Sequence, residues 1–176
     1  MSANDDGLQE GGSTEGTTFA IARNFQAPID RVWKAWSEPA QLQRWWGPRG
    51  CSVEVASLEF RPGGFFHYSM TFPGAPVMWG RFNYREIVDG ERLVWLNSFA
   101  NENGGIARAP FSELCPLEIE NRVTFTAHGG GTTVSLRAEP FGELAVERVY
   151  FDTMRHSLEE GYGGTFQQLE EILVGR

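Results

Sequence analysis

Apolar and polar residues alternate along this chain in distinct rhythms, and the rhythms mark out its elements. Phe19, Ile21 and Arg23-Asn24-Phe25 repeat with the period of two expected of a first strand beginning near Thr17. Ile29, Val32, Trp33 and Trp36 then recur every three to four residues, with Pro28 at a first-turn position, which predicts a helix. Pro39 opens a second short helix through Leu42 and Trp45, and Gly47-Pro48 ends the resulting helical hairpin. From Cys51 the period returns to two. Val53 and Val55 share one face while Leu58 and Phe60 share a face of their own, so the phase slips near Ala56-Ser57, as a β-bulge requires.

After the turn Arg61-Pro62-Gly63-Gly64, the residues Phe66, Tyr68, Met70 and Phe72 alternate up to Pro73-Gly74-Ala75-Pro76. A strand from Met78 to Ile87 follows and closes at Asp89-Gly90, a strong hairpin signal. Leu93, Trp95, Asn97 and Phe99 share the next face. Val123, Phe125 and Ala127 pair across His128-Gly129-Gly130-Gly131 with Val134, Leu136 and Ala138. The count is about seven antiparallel strands in a mostly hairpin-connected meander. From about Glu143 to Leu173 the apolar spacing is helical, through Phe151, Met154, Leu158, Tyr162, Phe166, Leu169 and Leu173. It predicts one helix of ~31 residues, ~46 Å at 1.5 Å per residue. Gly161, Gly163 and Gly164 interrupt the pattern and predict a bend there or a close approach to the sheet.

Composition adjusts this picture in three places. Residues 1–16 are rich in Gly, Ser, Asp, Glu and Asn, cannot offset the entropy of ordering, and read as a disordered tail ahead of a domain spanning 17–174. The formal net charge of −8, with 15 scattered Lys and Arg, argues against a nucleic-acid or anionic-membrane partner. No apolar run approaches the roughly 18 residues of a membrane span and no signal peptide is recognisable, so a cytoplasmic location is expected. Cys51 and Cys115 have neither C-x-x-C spacing nor a His cluster, so they read as reduced thiols, with no metal and no cofactor expected. The 13 Phe, 6 Trp and 4 Tyr exceed the ordinary need of one small core, which suggests that some rings line a cavity.

Several segments narrow the fold. Residues Ala27-Pro28-Ile29-Asp30-Arg31-Val32-Trp33-Lys34-Ala35-Trp36, Leu42-Gln43-Arg44-Trp45-Trp46-Gly47-Pro48 and Arg61-Pro62-Gly63-Gly64 resemble the homologues of the activator of heat-shock-protein-90 ATPase. So do Gly80-Arg81-Phe82, Arg92-Leu93-Val94-Trp95 and His156-Ser157-Leu158-Glu159-Glu160-Gly161-Tyr162. That family sits in the SRPBCC or START-like superfamily with the birch-pollen allergen and polyketide cyclases. The resemblance implies an α+β helix-grip fold, in which a curved antiparallel sheet wraps a long C-terminal helix around an apolar cavity. It fixes fold far better than chemistry.

The candidate site residues follow from face assignment. Phe66, Tyr68, Met70, Trp95, Asn97, Phe99, Val123 and Phe125 fall on the face toward the long helix. Asn97, between two aromatic neighbours, must find a hydrogen-bond partner or cost roughly 1–3 kcal/mol, so a ligand, the backbone or a buried water is expected there. Phe151, Met154 and Leu158 are expected at the open end of the cavity. Phe166, Leu169 and Leu173 are expected to pack under the narrow end, with Tyr162 adding a polar tip. The irregular Ala100–Pro116 stretch reads as a lid closed by Phe111 and Leu114, with a solvated insertion as the alternative.

No nucleophile, base or metal set is recognisable. His128 lies in a turn, His156 is expected to face solvent, and His67 alternates with Tyr68 and so points to the outer face. The expected activity is therefore binding of a small hydrophobic or aromatic molecule, with a homodimer carried as a candidate assembly. A cyclase- or hydrolase-type enzyme using the same cavity is the first alternative, and a co-chaperone-like protein-binding module is the second. The eukaryotic co-chaperone that names the family has a further N-terminal domain where this sequence has its tail.

Overall fold

A computed structural model of the protein describes residues 18–175; the expected tail at 1–16 lies outside them. The chain runs β1 (Phe19–Phe25), α1 (Ile29–Ser37), α2 (Pro39–Trp45), β2 (Ser52–Leu58), β3 (Phe65–Thr71), β4 (Met78–Val88) and β5 (Arg92–Ala100). It continues through β6 (Ile106–Ala107), β7 (Ile119–His128), β8 (Gly131–Pro140), α3 (Ala145–Thr153) and α4 (Arg155–Leu173). All pairings are antiparallel, in the order β1-β8-β7-β5-β4-β3-β2, with β6 on β5. The first strand therefore joins the last, and α1, α2 and α4 cover the inner face. This is the helix-grip arrangement.

The bulge read from the phase slip lies where expected, since the β2–β3 register shifts between Val55 and Ser57. A second bulge lies between Tyr84 and Glu86 on β4, where the inward phase of Phe82 and Tyr84 passes to Ile87, a slip the strand reading passed over. The eighth strand, β6, is two residues within the stretch read as irregular.

The expected single C-terminal helix is two helices. Thr153 turns its hydroxyl back onto the Tyr150 carbonyl at 2.6 Å, and the Met154 N–H bonds Phe151 O at 3.0 Å, tightening and ending α3. The chain restarts as α4 one residue later. The glycines read as a bend remain helical: a methyl placed on Gly161 or Gly163 meets nothing within 4 Å, so no close approach demands them. What holds α4 across them is anchoring to the helical hairpin. The Gln168 amide donates to Gly47 O at 2.8 Å, and the Thr165 hydroxyl shares its one proton between Gly47 O at 3.0 Å and Gly161 O of its own helix at 2.9 Å.

Most of the aromatic excess fills volume. Trp36 packs against Trp45 at 4.7 Å between ring centroids, Phe125 at 5.7 Å and Trp95 at 5.9 Å, which joins the hairpin to the inner sheet face. Phe25 and Trp36 both meet Phe166 of α4. Leu169 and Leu173 are buried under the same end, the packing role assigned to them from spacing.

A cavity between sheet and helix as the candidate functional site

Beyond this aromatic core the inner face opens into a cavity of about 260 Å³. One wall begins with a glycine. Tyr68 on β3 is directly opposite Gly80 on β4, and the tyrosine ring lies across the bare glycine backbone. A methyl on Gly80 would fall 2.7 Å from Tyr68 Cε2 and closer still to Cζ and the hydroxyl. Gly80 is in turn opposite Phe99 on β5, so the missing side chain lets the Tyr68 hydroxyl reach across β4 toward β5. Burial pushes the Tyr68 pKa up to about 12; hydrogen bonding with the Trp46 indole opposes the rise, and Cys51 adds to it.

Tyr162 of α4 forms the opposite wall. It stacks on Phe19 at 5.6 Å and donates to Asn121 Oδ1 at 2.7 Å. Asn121 is fully buried and spends its own amide N–H on Ile119 O at 3.2 Å. Burial raises the Tyr162 pKa, with the field of Tyr68 as a further cause, so both hydroxyls are protonated at neutral pH. Asn97 completes the polar set: it lines the cavity, and its Oδ1 is buried without a hydrogen-bond partner.

The mouth is built by the stretch read as a lid. Phe111 packs edge-on against Phe99 at 5.7 Å, is 59% exposed, and with Cys115 and Pro116 lines the cavity on this side. Leu114 is exposed and lies off the lining. Two anchors fix the stretch. At its start, the turn 101–105 folds over the outer sheet face, where His67 Nε2 lies 3.1 Å from Asn101 O and Arg81 donates to Gly104 O at 2.9 Å. His67 thus faces outward as expected, but it is buried beneath this turn and stacked on Trp79. Further along, one Arg108 nitrogen serves Glu147 Oε1 on α3 at 2.8 Å and the carbonyls of Glu113 and Cys115, each at 3.2 Å.

Of the residues proposed for the site, Tyr68, Met70, Asn97, Phe99, Phe111, Met154, Leu158 and Tyr162 line the cavity. Phe66, Trp95, Phe125 and Phe151 do not: each is buried in the aromatic core. Trp95 and Phe125 share the right face but sit under Trp36, Phe66 is enclosed by Tyr68 and Phe82 of the sheet itself, and Phe151 precedes the α3–α4 break that separates it from Met154. Trp46, Gly80, Cys115, Ile119, Gly161 and Thr165 line the cavity without having been singled out. Gly80 carried a signal, an inward glycine opposite a tyrosine. Among the described residues no group of three His, Cys, Asp or Glu could hold a metal, and no helix is long and apolar enough to cross a membrane.

Residues 26–174 match the family described as Activator of Hsp90 ATPase homolog 1-like protein. The chain belongs to that family. A solution structure of a protein from Arthrobacter aurescens is similar at 27% identity and a TM-score of 0.77, covering 92% of this chain and 88% of that one. Protein Ms6760 from Mycobacterium smegmatis is similar at 25% identity and a TM-score of 0.74, covering 91% and 92%. Protein NE0264 from Nitrosomonas europaea, at 22% identity and a TM-score of 0.72, shares the fold over 91% of this chain and 96% of its own. The sequence has no significant match among curated proteins.

Proposed function

We propose that this member of the family binds a small, largely apolar or aromatic molecule in the cavity between the sheet and α4. The observation that carries the reading is the cavity itself. At about 260 Å³ it is several times the ~30 Å³ share of one water, and Trp46, Met70, Phe99, Ile119 and Leu158 form much of its wall. A rigid frame supports it, since the hairpin and α4 are cross-bonded through Gly47.

A hydrolase or cyclase would need titratable groups converging on a substrate. The lining offers only Tyr68, Tyr162 and Cys115, and burial raises the pKa of each, so none serves as a base near neutral pH. Binding is therefore favoured over catalysis.

The test is a thermal-shift screen with neutral aromatic compounds, run on the wild-type chain and on Gly161→Phe. Position 161 lines the cavity and an added side chain there meets open space. A ligand at 100 times its Kd should stabilise the wild type by about 2.7 kcal/mol and leave the filled variant unmoved. No shift with any compound, or equal shifts in both proteins, would refute the proposal.

A further inference from the structure

Resting on that reading, we infer that the Tyr68 ring is the wall that sets ligand size, limiting the cavity to neutral aromatic molecules of about two fused rings. The inference starts from an exchange of volume between two paired strands. Gly80 leaves the inner face of β4 bare, and the far end of the Tyr68 ring fills that space. A methyl on Gly80 would lie 2.7 Å from Tyr68 Cε2 and closer still to Cζ and the hydroxyl oxygen. Both residues line the cavity, so the ring stands where the cavity would otherwise extend across β4 toward Phe99. With glycine at position 80, β4 has no side chain there to refill the space once the ring is removed.

The ring is also held rigidly. It stacks on Phe66 at 4.5 Å between centroids, with the planes 24° apart, and meets Phe82 edge-on at 5.8 Å. Phe66 and Phe82 are buried and packed edge-on against each other at 5.1 Å, so close packing behind Tyr68 opposes any swing away from the cavity. Trp46, also in the lining, is fixed in the same way by Trp45 at 5.6 Å and Phe82 at 4.9 Å. The mouth side differs. Phe99, Phe111, Met154 and Leu158 line the cavity but are partly or largely exposed, so that side can yield to a ligand. A molecule too large for the space therefore meets its resistance at Tyr68. The volume sets the scale: an apolar cavity of ~150 Å³ accommodates benzene, so about 260 Å³ suits roughly two fused rings and is short of three. No Lys, Arg, His, Asp or Glu lines the cavity, so an ionised ligand would lose its hydration with no counter-charge in place.

The test compares 2-naphthol with 9-phenanthrol, which adds one fused ring and is likewise uncharged at pH 7. Each is titrated by fluorescence into the wild type, Tyr68→Ala, Tyr68→Leu and Tyr68→Phe. The wild type should bind the naphthol about tenfold or more tightly than the phenanthrol, since an apolar pocket rejects excess size by roughly that factor. Tyr68→Ala should shift the ratio by about tenfold or more toward the phenanthrol, and Tyr68→Leu should shift it part of the way. Tyr68→Phe keeps the ring and should keep the wild-type ratio, which separates the volume of the ring from hydrogen bonding by its hydroxyl. Thermal melts establish which variants fold, and if Tyr68→Ala does not, Tyr68→Leu decides. Equal binding of the two probes by the wild type, or a wild-type ratio in a folded Tyr68→Ala or Tyr68→Leu, overturns the inference and leaves apolar binding standing. So does a Tyr68→Phe that shifts the ratio as far as the truncations do. Failure of both probes to bind any of the four proteins overturns the proposed function and the inference together.

Discussion

The Tyr68 ring occupies the space that a side chain at Gly80 would need, with Tyr68 Cε2 only 2.7 Å from the position of a Gly80 Cβ. The contact is across directly paired residues of β3 and β4, so neither backbone can yield without disturbing the ladder. Gly80→Ala should therefore expel or tilt Tyr68 and destabilise the protein by roughly 1–3 kcal/mol. In a Tyr68→Ala background the same substitution should cost much less. A double-mutant cycle by urea denaturation measures this, and additive losses would show that the two residues are not coupled.

The protonation of Tyr68 makes stability depend on alkaline pH. An unfolded tyrosine titrates near 10, whereas buried Tyr68 holds its proton to about 12. Between those values the unfolded chain releases a proton that the native state keeps, so stability is intact below pH 10 and falls as pH rises toward 12, by up to roughly 3 kcal/mol from this residue. Tyr84 and Tyr162 act in the same direction, through burial first. Denaturant melts at pH 9, 10 and 11 should show the decline, and Tyr68→Phe should lessen its slope. An unchanged slope in that variant would mean that the other tyrosines carry the effect.

Arg108 ties the mouth of the cavity to α3 through Glu147, which is only 5% exposed. Removing the cation leaves a buried carboxylate without its partner. Arg108→Met should cost about 1–3 kcal/mol, less than the 3–5 kcal/mol of a fully buried pair because the arginine side chain is 41% exposed. Glu147→Gln should cost less, since an amide oxygen still accepts from Arg108 and no charge is stranded. Limited proteolysis should find the chain near 108–116 cut faster in Arg108→Met than in the wild type. Equal cutting would show that the carbonyl contacts and the Phe99–Phe111 packing hold the segment by themselves.

The two ends of α4 differ in what surrounds them. Leu169 is fully buried in close packing, while Met154 borders the cavity. Leu169→Ala should cost roughly 2–5 kcal/mol, and Met154→Ala less because it enlarges a space already present. Ligand affinity should respond in the reverse order. Equal losses of stability in urea melts would contradict the division.

Local periodicity made much of the fold legible. The alternation in β2 placed its bulge, the tryptophan spacing placed the hairpin, and the Asp89-Gly90 turn set the β4–β5 connection. The α3–α4 break escaped it because a hydroxyl turning back on its own helix at Thr153 leaves the apolar spacing untouched. The glycines of α4 misled for the opposite reason. Their cost is local, whereas the contacts from Thr165 and Gln168 that tie α4 down reach Gly47, more than a hundred positions away.

The same boundary runs through the site. Alternation determined which face of each strand turns inward, and so brought Tyr68, Met70, Asn97 and Phe99 to the helix side. It gave Phe66, Trp95 and Phe125 the same standing, because face is a property of one strand while filled or empty volume is a property of everything opposite it. Only the tertiary structure decided that Trp36 fills the space over Trp95 and Phe125, that Tyr68 and Phe82 enclose Phe66, and that the rest of the face stays open. It also decided that Tyr162 finds Asn121 while the Asn97 oxygen finds nothing, since a hydrogen bond needs two groups within about 3 Å and sequence spacing carries no such distance across the fold.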